Sequence, residues 1–294
     1  MLSYRPSGDM DERGITTHVA RMARSFGQSG SWPGLGFEYD AELPGQGGER
    51  VHGADYEVTL KGGGLLATFR LQAKRLYPAL TSPGSYESLK HNSGGKRQVD
   101  RLLEQTPSTA NAGYVFYNAL ENSVADVESG CCLGVPEDAY GLGGLGLTLA
   151  PAHAIERPER WGKMRFDDIF PVSSPVACLA RCDRMRARVD RRYPLFDPAP
   201  RPWELPLFAA VEWARLAYQG EREPLARLVR TRETSSEADA LLRRFAPFLD
   251  VTDGPGPEYL EELYSTGAVS AEVEERPASV IAVLDADRSP ERPR

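Results

Sequence analysis

Two β-type runs, Gly53 to Leu60 and Leu65 to Leu76, flank the tetrapeptide Lys61-Gly62-Gly63-Gly64, and this arrangement constrains the fold more than any other stretch of the chain. Glycine supplies the backbone freedom that tight hairpin turns need, so the runs are predicted to pair as antiparallel strands. If Leu60 faces Leu65, Asp55 stands opposite Arg70 and Gly53 opposite Gln72. Strand side chains alternate between faces. Asp55, Glu57, Gln72 and Lys74 therefore share one side of the sheet, and Tyr56, Val58, Leu71 and Ala73 the other. A slip of one residue would separate the two sets.

Helical periodicity precedes the hairpin. Ile15, Val19, Met22 and Phe26 recur at helical spacing within Met10 to Phe26, and Asp9 followed by Glu12 forms a capping-box pattern. A Gly- and Pro-rich loop around a short strand at Gly36 to Glu42 comes next. After the hairpin, Lys96 to Gln105 places Val99, Leu102 and Leu103 on one helical face, and Gly113 to Tyr117 suits a buried strand. This order predicts an α/β fold with a mixed β-sheet flanked by helices. Val176 to Arg188, Trp203 to Gln219 and Ser236 to Leu249 are predicted helices, giving a C-terminal helical region. The expected division is residues 1–200, 201–275 and 276–294, the last holding one apolar run, Ala278 to Leu284, and a charged tail expected to be disordered.

Composition narrows the classes. Of 294 residues, 41% are hydrophobic, enough for a sizeable core and against disorder along the whole length. The longest charge-free stretches, such as Tyr140 to Ile155, are interrupted by glycine and proline and are too short to span a bilayer. The N-terminus reaches acidic residues before any apolar run, so a cytoplasmic protein without membrane contact is expected. Four cysteines make no disulfide framework, and Cys178 and Cys182 with His153 lack the two-plus-two spacing of a zinc site. Gly141 to Gly146 has no Lys-Ser/Thr pair and reads as a loop.

Net charge is −7, yet two segments are basic. Arg70 to Arg101 holds seven basic residues against Glu87 and Asp100, and Arg181 to Arg201 holds seven arginines against three aspartates. Such segments can bind a polyanion locally, but charge alone favours a solvated face laced with ion pairs.

The shared face of the hairpin carries the chemistry. A carboxylate on one strand, with an oxygen acceptor and a lysine two apart on the next, can hold a divalent cation and orient water for attack on a phosphodiester. The lysine then positions the water or offsets charge on the phosphate.

Gly53-Ala54-Asp55-Tyr56-Glu57, followed after the glycine turn by Phe69-Arg70-Leu71-Gln72-Ala73-Lys74-Arg75, resembles the core of the PD-(D/E)xK nuclease superfamily in its Mrr-like Gln-x-Lys version. It resembles most an uncharacterised bacterial domain family within that superfamily. Asp11-Glu12-Arg13-Gly14-Ile15-Thr16, Glu49 and Arg97-Gln98-Val99-Asp100 extend the likeness over roughly residues 9 to 120. The resemblance implies a restriction-endonuclease-like core. It implies Asp55, Gln72, Lys74, Glu12 and Glu57 as catalytic residues, and Mg²⁺ or Mn²⁺ held by Asp55, Glu12, Gln72 and Ala73. Glu12, on the apolar face of its helix, is equally a capping residue. Gln72 stands where a carboxylate is commoner and binds a hard cation more weakly. Arg75, Lys96, Arg97, Gln98 and Arg101 are the expected nucleic-acid contacts, with Glu49 and His52 weaker candidates.

The function so implied is metal-dependent hydrolysis of DNA, in bacterial defence against foreign DNA, with RNA as an alternative substrate. A homodimer or a partner protein bound through the C-terminal region is expected. The rival reading is a nuclease-fold module that has lost metal binding and acts in nucleic-acid or protein interaction.

Overall fold

A computed structural model of the chain describes residues 15–16, 19, 36–42, 54–76, 86, 92–93, 96–118, 147–156, 165–176, 204–217, 225–232, 234–257, 259–260 and 280–285. The glycine turn organises it. Strands β1 (Gly36–Glu42), β2 (Tyr56–Gly62) and β3 (Leu65–Arg75) precede a two-stranded ribbon, β4 (Asn92–Ser93) with β5 (Lys96–Arg97). Helix α1 (Gln98–Gln105) and strand β6 (Ala110–Tyr117) follow.

β2 and β3 pair antiparallel with Gly62 opposite Leu65, so the loop contains only Gly63 and Gly64. Both have positive φ, 54° and 79°, as a two-residue turn matched to strand twist requires. This corrects the expected Leu60–Leu65 pairing by two residues: Leu60 faces Ala67, and Arg70 faces Glu57 rather than Asp55. A shift of two preserves side-chain parity, so the expected partition of the two faces holds.

β6 runs parallel to β3, and α1 makes the crossover that parallel neighbours require. Beyond β6 come β7 (Leu147–Pro151), α2 (Ala152–Glu156), α3 (Phe166–Ile169) and β8 (Ser174–Pro175). The C-terminal part is α4 (Glu204–Ala217), β9 (Ala226–Arg230), α5 (Ser236–Phe245), β10 (Leu249–Asp253) and β11 (Val280–Asp285). One mixed sheet runs β1-β11-β2-β3-β6-β7-β8, and the parallel pair β9–β10 joins it through Leu65 and Leu66 of β3. Among the described residues, the region after residue 200 therefore contributes three strands as well as helices. β11 is the expected apolar run near the C-terminus, and it lies between β1 and β2.

Every residue of β3 is buried, as expected of a strand covered on both faces. On one face, Tyr56, Phe69, Leu71 and Ala73 pack with Leu207, Ala210 and Trp213 of α4 and Leu241 and Leu242 of α5. On the other, Tyr114, Phe116 and Ala54 pack with Val99 and Leu102 of α1 and with residues of α2 and α3. Trp213 meets Phe69 edge-on at 5.0 Å between ring centroids, a geometry adding about 0.5–1.5 kcal/mol beyond area burial. Gly113 makes room for that indole: a Cβ there would collide with the Trp213 ring and lie 2.7 Å from the Ala150 carbonyl oxygen.

β3 changes neighbour along its length, from β9 at Leu65 and Leu66 to β6 from Thr68 onward. Asn111 closes the junction. Its Nδ2 donates to the carbonyls of Thr68 (3.0 Å) and Arg227 (2.9 Å), and its Oδ1 accepts the Arg227 N–H at 2.7 Å.

The predicted helix at 176–188 begins with helical Val176, and its remainder lies outside the described residues, as do Gly141–Gly146 and all four cysteines.

Candidate active site

Asp55 stands immediately before β2, and its backbone N–H donates to Leu71 O at 2.9 Å. Its Oδ2 accepts the Ala73 N–H at 2.7 Å and also the Gln72 Nε2, a short contact. The hairpin turn dictates this convergence, because the observed register carries Asp55 past the end of the ladder to the level of Gln72 and Ala73. Lys74 follows on the Gln72 face and is 3% exposed, against 1% for Gln72. Among the described residues, Gln72 Oε1 is buried with no hydrogen-bond partner. A strand residue points its N–H and C=O to the same side, so Ala73 offers its carbonyl on the side from which it bonds Asp55.

The next rung holds Glu57 and Arg70. Arg70 Nε donates to Glu57 Oε2 at 2.9 Å and Nη1 to the Gln105 carbonyl at 2.6 Å. Tyr259 Oη donates to Glu57 Oε1 in a short hydrogen bond, and lies 3.2 Å from Thr59 Oγ1, which bonds Thr68 Oγ1. Both Glu57 oxygens are thus engaged in a buried network. The expected catalytic Glu57 is a structural neighbour of Asp55 by position, not a carboxylate open to a ligand.

On the opposite face, Tyr56 Oη donates to the Thr16 carbonyl at 2.9 Å and lies 2.6 Å from Tyr117 Oη, which is 3.0 Å from Thr16 Oγ1. These bonds tie the N-terminal helical residues to β2 and β6. Burial pushes both phenols upward, and the negative charge of Asp55 adds to the rise in each. Beside Gln72 in the sheet stands Tyr114, whose phenol is raised first by burial and then by Asp100.

The basic residues are largely committed. Lys96 Nζ is 2.7 Å from Glu104 Oε2, and Arg97 pairs with Asp100 through two hydrogen bonds and reaches Glu156 at 3.5 Å. The Asp100 hydrogen bond is the main reason the Arg97 guanidinium is held above its ordinary value. Arg75 is 8% exposed and follows Lys74 on the opposite side of the strand, so it is no open phosphate contact. Arg101 is half-buried on α1. Gln98 heads that helix, and its Oε1 is buried without a partner among the described residues. Glu12, Glu49 and His52 lie outside the described residues.

Among the described residues no group of three or more His, Cys, Asp or Glu side chains is placed to hold a metal ion. The donors that are present do suit a hard divalent cation: the Asp55 carboxylate and the buried, unpartnered Gln72 Oε1. Sequence reasoning missed Tyr259, which lies 202 residues from its partner Glu57 in a segment with no motif. It also missed Glu104, three residues beyond the basic segment whose Lys96 it neutralises.

Neither a curated protein nor a solved structure matches the chain. Residues 43–288 match a family of unknown function, DUF6615, and the chain belongs to that family.

Proposed function

We propose that the chain is a metal-dependent nuclease that hydrolyses phosphodiester bonds of DNA, foreign DNA being the target the sequence resemblance implies. One observation carries the reading: the turn-defined hairpin brings the Gln72 amide and the Ala73 N–H into hydrogen bonding with Asp55, with Lys74 next on the Gln72 face. The order of hairpin, helix and aromatic strand supports it, since the resemblance rests on that order. Asp55, Gln72 Oε1 and the Ala73 carbonyl are the groups that would hold Mg²⁺ or Mn²⁺, with Glu12 as the further carboxylate. Such a cation lowers the pKa of its bound water and offsets charge on the phosphate.

The protein's own groups do the rest. Asp55 is oriented by the Ala73 N–H, which fixes the carboxylate relative to the strand. Lys74, held in the sheet, places an ammonium beside the phosphate and the attacking water. The Glu57–Arg70 pair and Tyr259 pin the strands one rung away. Lys96 and Arg97 reach a phosphate backbone only by exchanging Glu104 and Asp100 for it, so binding falls with added salt.

A second reading, an interaction module without catalysis, is favoured by the Gln72 amide hydrogen-bonded onto Asp55. Incubation of the full chain with plasmid, linear duplex, single-stranded DNA and RNA in Mg²⁺, Mn²⁺ or EDTA separates the two. The nuclease cleaves at least one DNA substrate and stops in EDTA. No cleavage of any substrate, with no Mn²⁺ binding by calorimetry, leaves the module.

A further inference from the structure

The Gln72 amide is used on one side only. Nε2 donates to Asp55 Oδ2, whereas Oε1 is buried, without a partner among the described residues, in a side chain 1% exposed. An ionised carboxylate only accepts, so without a cation Asp55 forces the NH₂ end of the amide toward itself and leaves the oxygen stranded. A cation reverses the requirement, because it takes oxygen from both residues.

We propose that Gln72 gates the Asp55 site: its amide covers Asp55 Oδ2 when no cation is bound and turns over to present Oε1 when one is. The inference rests on the cation-dependent reading above. Cation binding then has to break the Gln72–Asp55 hydrogen bond, which lowers affinity, while it gives the stranded oxygen a partner. Gln72→Glu removes the covering donor and sets a second carboxylate beside Asp55. That variant is destabilised without metal by like-charge repulsion and binds metal more tightly.

The test is calorimetry and thermal melting of the full-length wild type and Gln72→Glu with MnCl₂ and with EDTA. The gate requires Gln72→Glu to melt below wild type in EDTA, to bind Mn²⁺ at least tenfold more tightly, and to gain the larger rise in Tm from Mn²⁺. Equal or weaker Mn²⁺ binding by a folded Gln72→Glu overturns the gate and leaves the cation reading standing. Absence of Mn²⁺ binding by both proteins overturns both. Should Gln72→Glu fail to fold, the wild-type side-chain amide resonance of Gln72, assigned by its loss in Gln72→Ala, decides. It leaves its hydrogen-bonded position as Mg²⁺ saturates the protein, and a resonance unmoved at saturation overturns the gate.

Discussion

The backbone N–H of Ala73 donates to the Asp55 carboxylate at 2.7 Å, so the residue just before β2 is fastened to the strand carrying Gln72 and Lys74. Removing that acceptor has two separable effects. Asp55→Ala leaves the Ala73 N–H and the Gln72 amide without their partner and is expected to cost about 1–3 kcal/mol, read from urea unfolding. Asp55→Asn keeps an acceptor oxygen and recovers most of that stability, yet it does not restore Mn²⁺ binding. Wild-type Mn²⁺ affinity in Asp55→Asn would remove Asp55 from the cation site.

Glu57, Arg70 and Tyr259 form the buried network beside the site, with side-chain exposures of 2% for Glu57 and 10% for Arg70. Breaking one member of a buried pair strands the other charge. Glu57→Ala is expected to lose about 3–5 kcal/mol. Tyr259→Phe removes one hydrogen bond to a charged group and is expected to lose about 1.5–3 kcal/mol. A double-mutant cycle between the two positions checks the account: strictly additive losses would mean that Tyr259 does not act through Glu57.

Asn111 is expected to matter for the sheet rather than for the site. Asn111→Ala leaves the Thr68 and Arg227 carbonyls and the Arg227 N–H without their side-chain partner, at a cost of about 2–3 kcal/mol. Hydrogen exchange locates the effect, with faster exchange in β9 and β10 than in β2. Unchanged protection of β9 would show that Asn111 is not the joint.

Burial raises the phenols of Tyr56, Tyr86, Tyr114, Tyr117 and Tyr259 in the folded protein. Above the ordinary tyrosine pKa of about 10 the unfolded chain loses these protons while the folded protein keeps them. Stability contributed by the protonated phenols is therefore fully present below about pH 10 and is lost as pH rises toward the folded values. Each buried tyrosine steepens the decline by up to about 1.4 kcal/mol per pH unit. Tyr86→Phe is expected to make the alkaline slope of urea stability shallower, and an unchanged slope would contradict the burial of that phenol.

The alternation of side chains made both faces of the hairpin legible in the sequence, because a period of two survives an error of two in register. The register itself was not legible. Lys61-Gly62-Gly63-Gly64 can be read as a four-residue turn, and only the positive φ of Gly63 and Gly64 shows that two residues suffice. That Asp55 and Gln72 share a face followed from strand parity, whereas Tyr259 and Asn111 join segments more than a hundred residues apart and leave no local pattern. The strands β7, β9 and β10 were missed for a related reason. Each is five residues long and is fixed by its neighbours in the sheet more than by its own periodicity.

The proposed chemistry turns on Lys74, so the most direct measurement is plasmid cleavage in Mg²⁺ by wild type and by Lys74→Met, which keeps the buried stem and removes the ammonium. With melting temperatures within a few degrees of each other, the account expects Lys74→Met to cleave at least about 100-fold more slowly, the scale of losing one charge-stabilising group at a reacting phosphate. Cleavage by Lys74→Met at the wild-type rate would contradict the account.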